Sequence, residues 1–314
     1  SDSGAVRMSR SRSAAKRTGD LFLCVKIFVL LAKNVQTCYT YIVVNKSRRY
    51  VFMILAIDVG NTNIVIGCIE KDRILFNERV STNHRATDLE YAIQLKNIFE
   101  IHGESMGSIE GAVMSSVVPS ITGIFRRAIR KLVHTEPLIV GPGIKTGLKI
   151  LTDNPAQLGS DLVVDAVAGI HYYKLPLIII DMGTATTMSV VDKDCSYLGT
   201  DIIPGMRTSL DALVSGAAQL PKVYLDRPKR VIGKNSPECM NNGIMLFTAS
   251  GIDGMIDRIE AELGEKCTVV ATGGLAELVT PLCRRDIIFD NDLLLKGLMV
   301  LYDKNRERGK EDGK

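Results

Sequence analysis

The stretch MILAIDVGNTNIVIGCIEKDRILF, residues 53–76, decides the fold, because it reads as short strands joined by tight turns. β-rich runs at 53–58, 64–69 and 73–80 are punctuated by Gly, Asn and Asp, which favour turns. The first run ends on Asp58 and turns through Gly-Asn-Thr-Asn before a second strand begins. The stretch predicts a three-stranded meander with a carboxylate at the end of its first, buried strand.

Helix and strand patterns alternate after the meander. Apolar residues recur at helical spacing in 88–101 and 120–134. The runs 110–118 and 137–141 are typical of buried strands. The first half therefore has the predicted order βββαβαβ.

The second half repeats this plan. Three further strands are predicted, at 176–183, 186–192 and 197–203. Helices follow, then a strand at 267–276 that ends in a Gly turn, and a last helix over about 291–305. The two copies predict an α/β protein of two tandem lobes, 53–172 and 173–305, that face a cleft.

Composition and charge exclude several classes of protein. The 314 residues are 46% hydrophobic and 24% charged, as in average globular proteins. Residues 1–52 hold 10 of the 39 basic and 2 of the 35 acidic residues, so the rest of the chain is mildly acidic, without the basic stripe of a nucleic-acid binder. The seven Cys and four His show no metal-ligand spacing, so we expect reduced thiols, a cytoplasmic protein and no zinc site.

The first 52 residues differ from the rest. A polar, basic stretch precedes the apolar run LFLCVKIFVLLA at 21–32, and the pair imitates a targeting signal. The run is shorter than the roughly 20 residues that span a bilayer, and no small-residue cleavage site follows it, although a weak secretory signal stays open as an alternative. We expect residues 1–52 to be a disordered or non-native extension, no association with membranes, and a charged tail at 306–314.

The turn after the opening strand has a partner later in the chain. AIDVGNTN at 56–63 and IIDMGTAT at 179–186 share a strand, an Asp, a Gly and a Thr, and Asp58 and Asp181 lie 123 residues apart. In each copy, the freedom of the Gly at φ is expected to let main-chain N–H groups face an anion. ATGGLA at 271–276 is a third Gly turn, placed to lie along an adenosine. Phosphoryl transfer needs donors for phosphates and carboxylates for cations, so the repeat predicts a nucleotide cleft, whereas either copy alone is typical of an ordinary hairpin.

A series of motifs along nearly the whole body indicates a family. In chain order they are DVGNTN (58–63), SSVVP (115–119), VGPGIKTGL (140–148), DNPAQLGSD (153–161), DMGTATT (181–187), IPGM (203–206), QLPKV (219–223), IGKNS (232–236), ATGGLA (271–276) and LLLKGLMVLYDKN (293–305). In these motifs the chain resembles type III pantothenate kinases, of the acetate kinase, sugar kinase and actin superfamily. The resemblance runs from Met53 to about Asn305. It implies two ribonuclease H-like lobes of the actin-like ATPase kind, each a mixed sheet flanked by helices, with a cleft between them.

The resemblance also implies an activity and its cofactors. The activity is ATP-dependent phosphorylation of pantothenate to 4′-phosphopantothenate, the first step of coenzyme A biosynthesis, by a homodimer that needs Mg²⁺ and a monovalent cation, K⁺ or NH₄⁺. Carried over by position, the residues that would bind ATP are Asp58, Val59, Gly60, Asn61, Thr62, Asn63, Ile64, Val65 and Thr184. Asp58 would also lie near Mg²⁺, and Asp181 would bind the monovalent cation.

On the acceptor side, the resemblance makes Asp161 the base that takes the hydroxyl proton of pantothenate. The residues that would hold the substrate are Thr152, Gly159, Ser160, Asp161, Leu162 and Ser236, the last from the neighbouring subunit. A loose transition state asks the base mainly to orient the hydroxyl and remove its proton late, which an Asp can do. Capping of the helix that begins here is an alternative role for Ser160 or Asp161, and it does not exclude catalysis.

The sequence departs from the family pattern mainly on the acceptor side. The family's Gly-Ala-Asp-Arg ends here in Leu162, which removes a charge-assisted contact worth about 1.5–3 kcal/mol. Asp165 replaces the usual Asn and adds negative charge near an anionic substrate. Thr152 stands for a Tyr, Thr200 for a Gly and Ser236 for a Thr.

Two alternatives to a pantothenate kinase stay open at this point. One is a non-catalytic, nucleotide-binding relative with a regulatory or accessory role. The other is a kinase for a different small hydroxy acid, which would share the ATP side and differ around Leu162. The intact Asp58, Asp161 and Asp181 favour an enzyme, because a protein released from catalysis has no chemical need for all three.

Overall fold

The structure is a computed structural model, and it describes residues 53–217 and 219–306. The expectations for residues 1–52 and for the tail at 306–314 lie outside the described residues, except at Arg306. No helix in the described part of the chain is both long enough and apolar enough to cross a membrane.

The first half forms a five-stranded mixed sheet. Its strands are β1 (Met53–Val59), β2 (Asn63–Glu70), β3 (Arg73–Ser81), β4 (Ile109–Ser116) and β5 (Leu138–Ile139). The spatial order is β3-β2-β1-β4-β5, with β1 antiparallel to β2 and parallel to β4. Every residue of β1 is buried, as in a central strand covered on both faces. The predicted meander and the order βββαβαβ are therefore confirmed.

Helices cover both faces of this sheet. On one face lie α1 (Asp88–Ile101) and α2 (Pro119–Val133), which pack on alternate residues of β1. A capping box starts α1, since the Thr87 side chain accepts from the N–H of Glu90 and the Glu90 carboxylate accepts from the N–H of Thr87. The ends of both helices lie within one or two residues of the predicted bounds.

The second half repeats the strand order around its own central strand. Its strands are β6 (Lys149–Ile150), β7 (Leu177–Met182), β8 (Ala185–Val191), β9 (Ser196–Pro204), β10 (Thr268–Thr272) and β11 (Ile288–Phe289). The order is β11-β10-β7-β8-β9-β6, and β7 is antiparallel to β8 and parallel to β10. Apart from the edge strand β6, this is the order of the first sheet, so the predicted internal repeat is confirmed. The helices that pack with this half are α4 (Met206–Gly216), α5 (Ser236–Leu263) and α6 (Ala276–Val279).

Two equivalent helices, α3 (Ser160–Tyr172) and α7 (Leu293–Arg306), each follow the last strand of one sheet and pack on each other. The eight consecutive residues 162–169 of α3 are buried, which is typical of a helix surrounded on all sides. A Cβ on Gly297 of α7 would collide with the carbonyl oxygen of Val164, so a glycine lets the two helices approach closely. Because α3 contacts strands of both sheets, the lobe boundary at 172/173 stays a prediction.

Candidate active site

The two repeated turns contact each other directly. The first joins β1 to β2 after Asp58, and the second joins β7 to β8 after Asp181. Oγ1 of Thr62 lies 2.9 Å from Oγ1 of Thr184, so their hydroxyl groups form a hydrogen bond between the two halves of the chain. The strands that sequence reasoning paired by motif are thus brought to one place by the fold.

In each half of the chain, a threonine that follows the hairpin donates a hydrogen bond to the main chain of the turn. Oγ1 of Thr82, just after β3, donates to the carbonyl oxygen of Gly60 at 2.7 Å. Oγ1 of Thr208, in α4, donates to the carbonyl oxygen of Thr184 at 2.8 Å. These bonds fix the main chain of both turns where they face the cleft.

The glycines of the two turns do not use the conformational freedom at φ that the sequence predicted for them. Neither Gly60 nor Gly183 has a positive φ, and their N–H groups donate inside the turns, to the carbonyl oxygens of Asn63 at 3.0 Å and Ala185 at 2.9 Å. The prediction that conformational freedom at these two glycines turns their N–H groups toward an anion is therefore wrong. A Cβ on Gly60 would lie 2.9 Å from the carbonyl oxygen of Asn63, so glycine is needed there for close packing of the main chain. Within the described residues, the N–H groups of the turns without a main-chain partner are those of Asn61, Thr62 and Thr184.

The third glycine turn does need its conformational freedom. Gly273 has a φ of +91°, and a Cβ there would lie 2.5 Å from Oδ1 of Asp181 and 2.7 Å from the main-chain nitrogen of Met182. Its neighbour Gly274 lies against the guanidinium of Arg79. The turn after β10 therefore closes over the end of β7. Its predicted contact with an adenosine stays a prediction.

Two adjoining cavities open beside the turns. The first has a volume of about 330 Å³ and is lined by four carboxylates, those of Asp58, Asp161, Asp165 and Asp181. The second has a volume of about 630 Å³ and includes Arg207 among its lining residues. Both cavities share the residues Thr62, Asn63, Arg79, Gly183, Thr184 and Gly274. The site is therefore an acidic cavity that joins a larger, more basic one at the two turns.

The central carboxylates occupy equivalent positions in the two sheets. Asp58 and Asp181 are each the next-to-last residue of a central strand. On the parallel neighbouring strand, each is paired with a hydroxyl residue, Ser115 for Asp58 and Thr272 for Asp181. The carboxyl ends of parallel strands meet at one edge of a sheet, where open α/β sheets bind ligands.

Burial and mutual repulsion keep these carboxylates from ionising easily. Burial, followed by the charge of Asp161, raises the pKa of Asp58 to about 7, although a hydrogen bond from Ser115 acts the other way. Burial and the charge of Asp161 also raise the pKa of Asp181 to about 6. The charge of Arg79 lowers the pKa of both groups. Perturbed carboxylates in a cleft are typical of functional sites.

The predicted base lies at the start of α3 and faces the acidic cavity. Oδ1 of Asp161 accepts a hydrogen bond from the N–H of Leu162 at 2.9 Å. Burial raises the pKa of Asp161, and main-chain hydrogen bonds oppose the rise. The N-cap of α3 is Gly159, without a side-chain bond, so the alternative in which Ser160 or Asp161 caps the helix is wrong. A Cβ at Gly159 would collide with the carboxylate of Asp161, which explains the glycine.

Most of the predicted ATP-binding residues line the acidic cavity. They are Asp58, Gly60, Asn61, Thr62, Asn63, Val65 and Thr184. The side chains of Val59 and Ile64 are fully buried in the core instead, so only their main chain is available to a ligand. The binding roles of these residues stay predictions.

The predicted acceptor residues are less closely grouped. Asp161 lines the acidic cavity, whereas the other predicted acceptor residues line neither cavity: Thr152, Gly159, Ser160, Leu162 and Ser236. Ser160 Oγ lies 2.9 Å from Ser115 Oγ, Leu162 is buried, and Ser236 is the exposed first residue of α5. Their roles toward a substrate also stay predictions.

Sequence reasoning missed Arg79 as a site residue. It lies on β3, and its side chain forms no hydrogen bond or ion pair with the described residues, although it lines both cavities. The polar residues Asn77, Arg79 and Ser81 alternate along β3 and all line one or both cavities. That alternation is the signal that a search for a polar strand face would have found.

The acidic cavity can accept a cation that arrives with a nucleotide. Within residues 53–217 and 219–306, no group of three or more His, Cys, Asp or Glu is arranged to hold a metal ion. Oδ1 of Asp58 is nevertheless buried without a hydrogen-bond partner. Mg²⁺ is commonly bound by one or two carboxylates together with substrate phosphates, so Asp58 fits that ion.

Solved structures share this fold at low sequence identity. A protein from Campylobacter jejuni described as a Baf family transcriptional activator is 16% identical, with a TM-score of 0.51 over 81% of this chain and 99% of its own. MreB 5 of Spiroplasma citri, solved with AMPPNP, is 10% identical, with a TM-score of 0.50 over 84% of this chain and 99% of its own. These likenesses show the class of fold, a two-lobed α/β protein of the actin-like kind with two mixed sheets flanked by helices.

Comparison of sequences narrows this class to one family. Residues 54–258 match the profile of type III pantothenate kinases. The type III pantothenate kinase of Bacillus cytotoxicus is 42% identical over 253 residues, which cover 81% of this chain and 97% of that protein. The same enzyme of Pelobacter propionicus is 42% identical over 254 residues, covering 81% of this chain and 100% of that protein. The chain belongs to the type III pantothenate kinase family.

Proposed function

We propose that the protein transfers the γ-phosphoryl group of ATP to the primary hydroxyl group of pantothenate, giving 4′-phosphopantothenate and ADP in the first step of coenzyme A biosynthesis. The observation that carries this proposal is the meeting of Asp58, Asp161 and Asp181 at one cavity, beside two turns joined by their threonines. Phosphoryl transfer depends on positioned donors and on neutralisation of phosphate charge, which this arrangement offers. Membership of the family supports the choice of acceptor.

In the proposed reaction, the acceptor oxygen attacks the γ-phosphorus and the bond from that phosphorus to the β-γ bridging oxygen breaks. The hydroxyl proton passes to the carboxylate of Asp161. Because burial raises the pKa of Asp161, this carboxylate is a better proton acceptor near neutral pH than an exposed Asp. Its hydrogen bond from Leu162 holds the carboxylate in place for this transfer.

The two turns would hold the phosphates of ATP. Asn61, Thr62 and Thr184 offer main-chain N–H groups without main-chain partners, and two of them add hydroxyl groups. Asp58 would hold Mg²⁺, which supplies neutralisation of the phosphate charge when it is bound. Asp181 would hold a monovalent cation, K⁺ or NH₄⁺.

We also propose that the protein is a cytoplasmic homodimer. The cysteines that the structure describes are all free thiols, in keeping with a reducing compartment. Large exposed apolar side chains are frequent on the second half of the chain, on β9, α4, α5 and the segment before α5, at Ile202, Leu213, Tyr224, Val231, Ile232 and Phe247. Burial of such side chains in an interface between copies would stabilise a dimer. Ser236 lines neither cavity of its own chain, and the family resemblance implies that it acts from the neighbouring subunit.

An assay of ADP release with purified full-length protein, pantothenate, Mg²⁺ and K⁺ tests the function. We expect one ADP for each 4′-phosphopantothenate detected by mass spectrometry, and no ADP release when pantothenate is replaced by its analogue without the primary hydroxyl. Nucleotide binding without turnover would instead indicate the non-catalytic alternative. Turnover only with other hydroxy acids would indicate that the loss of the family's Arg at Leu162 has changed the acceptor.

We expect Arg79→Ala to raise the KM for ATP about 10- to 100-fold, because a charge-assisted bond to phosphate is worth about 1.5–3 kcal/mol. The side chain of Arg79 has no described hydrogen-bond partner and lines both cavities, so its guanidinium is free to bind the polyphosphate. Steady-state kinetics with varied ATP measure the effect. Arg73→Ala, at the start of the same strand and outside both cavities, is the control and should match the unsubstituted protein. Equal KM values for the two variants would exclude this role.

A further inference from the structure

Two buried oxygen atoms in the acidic cavity have no hydrogen-bond partner among the described residues. They are Oδ1 of Asp165 and Oγ1 of Thr187, and both residues line that cavity. Asp165 is only 2% exposed, so water in the bulk does not solvate its carboxylate. Buried polar atoms are nearly always satisfied in folded proteins, and a buried charge is normally paired or bound to a cation. Both oxygen atoms are therefore available to bind a ligand in the cavity.

Both residues line the cavity that Asp181 also lines. Thr187 is directly opposite Asp181 in the β7–β8 ladder, where side chains of paired residues are neighbours. Among the charged groups, Asp181 acts most strongly on Asp165, ahead of Asp161 and Asp58. The helix α3 thus brings a second carboxylate to the place where the sheet presents Asp181 and Thr187.

The charge around Asp165 is uncompensated. The charged groups that act on Asp165 are all carboxylates, and the weakest of the four is Asp290. Asp290 itself is paired with Lys296, whose Nζ lies 2.7 Å from Oδ2 of Asp290. Arg79 acts on Asp58 and Asp181. A cation that binds oxygen ligands would relieve this repulsion between the carboxylates.

We propose that Asp165 and Thr187 complete a monovalent-cation site together with Asp181, in which one K⁺-like ion is held by two carboxylates and one hydroxyl oxygen. This inference rests on the proposed function, in which Asp181 holds a monovalent cation. It adds Asp165 and Thr187 as two further ligands of that cation. A monovalent ion is proposed because Mg²⁺ dehydrates reluctantly and usually relies on one or two carboxylates together with substrate phosphates, whereas this site is formed by side chains of the folded chain alone.

The carboxyl group of Asp165 is expected to strengthen the binding of the monovalent cation. Asn, the usual residue of the family at this position, offers only a neutral oxygen, whereas Asp165 offers a carboxyl group that a bound cation would help to ionise, because burial and neighbouring carboxylates raise its pKa. Because the attraction of a cation to a charge a few ångströms away is strong inside a protein, this chain binds the ion more tightly than a variant with Asn does. The ion is bound without nucleotide, because all three ligands belong to the folded chain.

Equilibrium dialysis of the full chain against radioactive Rb⁺, without nucleotide or pantothenate, tests the site. We expect one Rb⁺ per chain, displaced by K⁺ and not by Mg²⁺ at equal concentration. Asp165→Asn should weaken Rb⁺ binding about tenfold or more, and Thr187→Val, which keeps the shape and removes the hydroxyl, by several-fold. Asp194→Asn, in the exposed β8–β9 turn outside both cavities, is the matched control and should bind Rb⁺ normally.

A melting experiment keeps the proposal testable if a variant folds poorly. Addition of KCl should raise the melting temperature of the unsubstituted protein more than addition of choline chloride does, and Asp165→Asn should reduce that difference. Absence of Rb⁺ binding, normal binding by Asp165→Asn, or displacement by Mg²⁺ as effective as by K⁺ would each overturn the proposal. Since no turnover is measured, a failure here leaves the proposed kinase activity intact, and an inactive kinase can still bind Rb⁺.

Discussion

Replacement of Asp161 by Asn is expected to lower the kcat for pantothenate phosphorylation about a thousandfold, within the range of effects found when a general base is removed. Asn keeps the shape of the side chain but cannot accept the hydroxyl proton. The change also removes the leading charge that raises the pKa of Asp58 and Asp181, so metal and phosphate binding should improve slightly or stay the same. Steady-state kinetics and nucleotide titration measure the two effects separately.

The expected pattern is therefore a loss in kcat with little change in the dissociation constant of ATP. Asp194→Asn removes a carboxylate from an exposed turn and serves as the control for the change in net charge. If Asp161→Asn kept more than about a tenth of the normal turnover, Asp161 would not be the base, since that effect lies below the usual contribution of such a group.

Replacement of Asp58 by Asn is expected to abolish most of the activity and yet stabilise the protein without ligands. The loss of activity, about a hundredfold or more, follows from the loss of a carboxylate for Mg²⁺ at the phosphates. The gain in stability follows because the buried carboxyl group of Asp58 has a pKa of about 7 in the folded protein, against 3.8 for an Asp side chain in water. At pH 8 the folded chain must hold this charge away from water, and Asn removes that cost.

The sign of the pH dependence follows from the raised pKa. The folded state binds the proton of Asp58 more tightly than the unfolded state does. The contribution of the protonated carboxyl group to the stability of the fold is therefore complete below about pH 4, and it is lost as the pH rises to about 7. The advantage of Asp58→Asn in the free energy of unfolding should therefore be small at pH 4 and reach roughly 4 kcal/mol at pH 8. Urea unfolding at both pH values, without Mg²⁺ or nucleotide, measures it.

Addition of Mg²⁺ and ATP should reverse this order of stability, because the ligands stabilise only the protein that binds them. Asp194→Asn again controls for net charge and should show no such dependence on pH. A variant Asp58→Asn that is less stable than the original protein at pH 8 would show that Asp58 supports the fold rather than the site.

Much of the fold could be predicted because the local signals agree with the tertiary structure. The buried strand before Asp58 and its later copy before Asp181 each have an apolar run, a turn motif and a returning strand, and both formed hairpins as expected. Helix bounds such as Asp88–Ile101 follow from apolar spacing and the Thr87 cap. These features depend on neighbours a few residues apart, so the chain itself contains the information.

The reasons behind the motifs were harder to predict. Gly60 is a glycine because the main chain of its own turn passes too close for a Cβ, and not because it needs a positive φ. Gly273, by contrast, does adopt a positive φ over Asp181. A glycine has the same letter in both cases, and only the three-dimensional arrangement of neighbouring atoms distinguishes the two causes.

The sequence by itself determined the α/β class, the internal repeat, the two hairpin turns with their carboxylates and the family, because short-range patterns and ordered motifs carry that information. Only the tertiary structure decided that Asp161 and Asp165 of α3 join Asp58 and Asp181 at one cavity, and that Arg79 lines it. It also decided which of these groups are buried without partners. Burial and the distance between residues more than a hundred positions apart depend on how the two sheets and their shared helices pack, and no local pattern contains that packing.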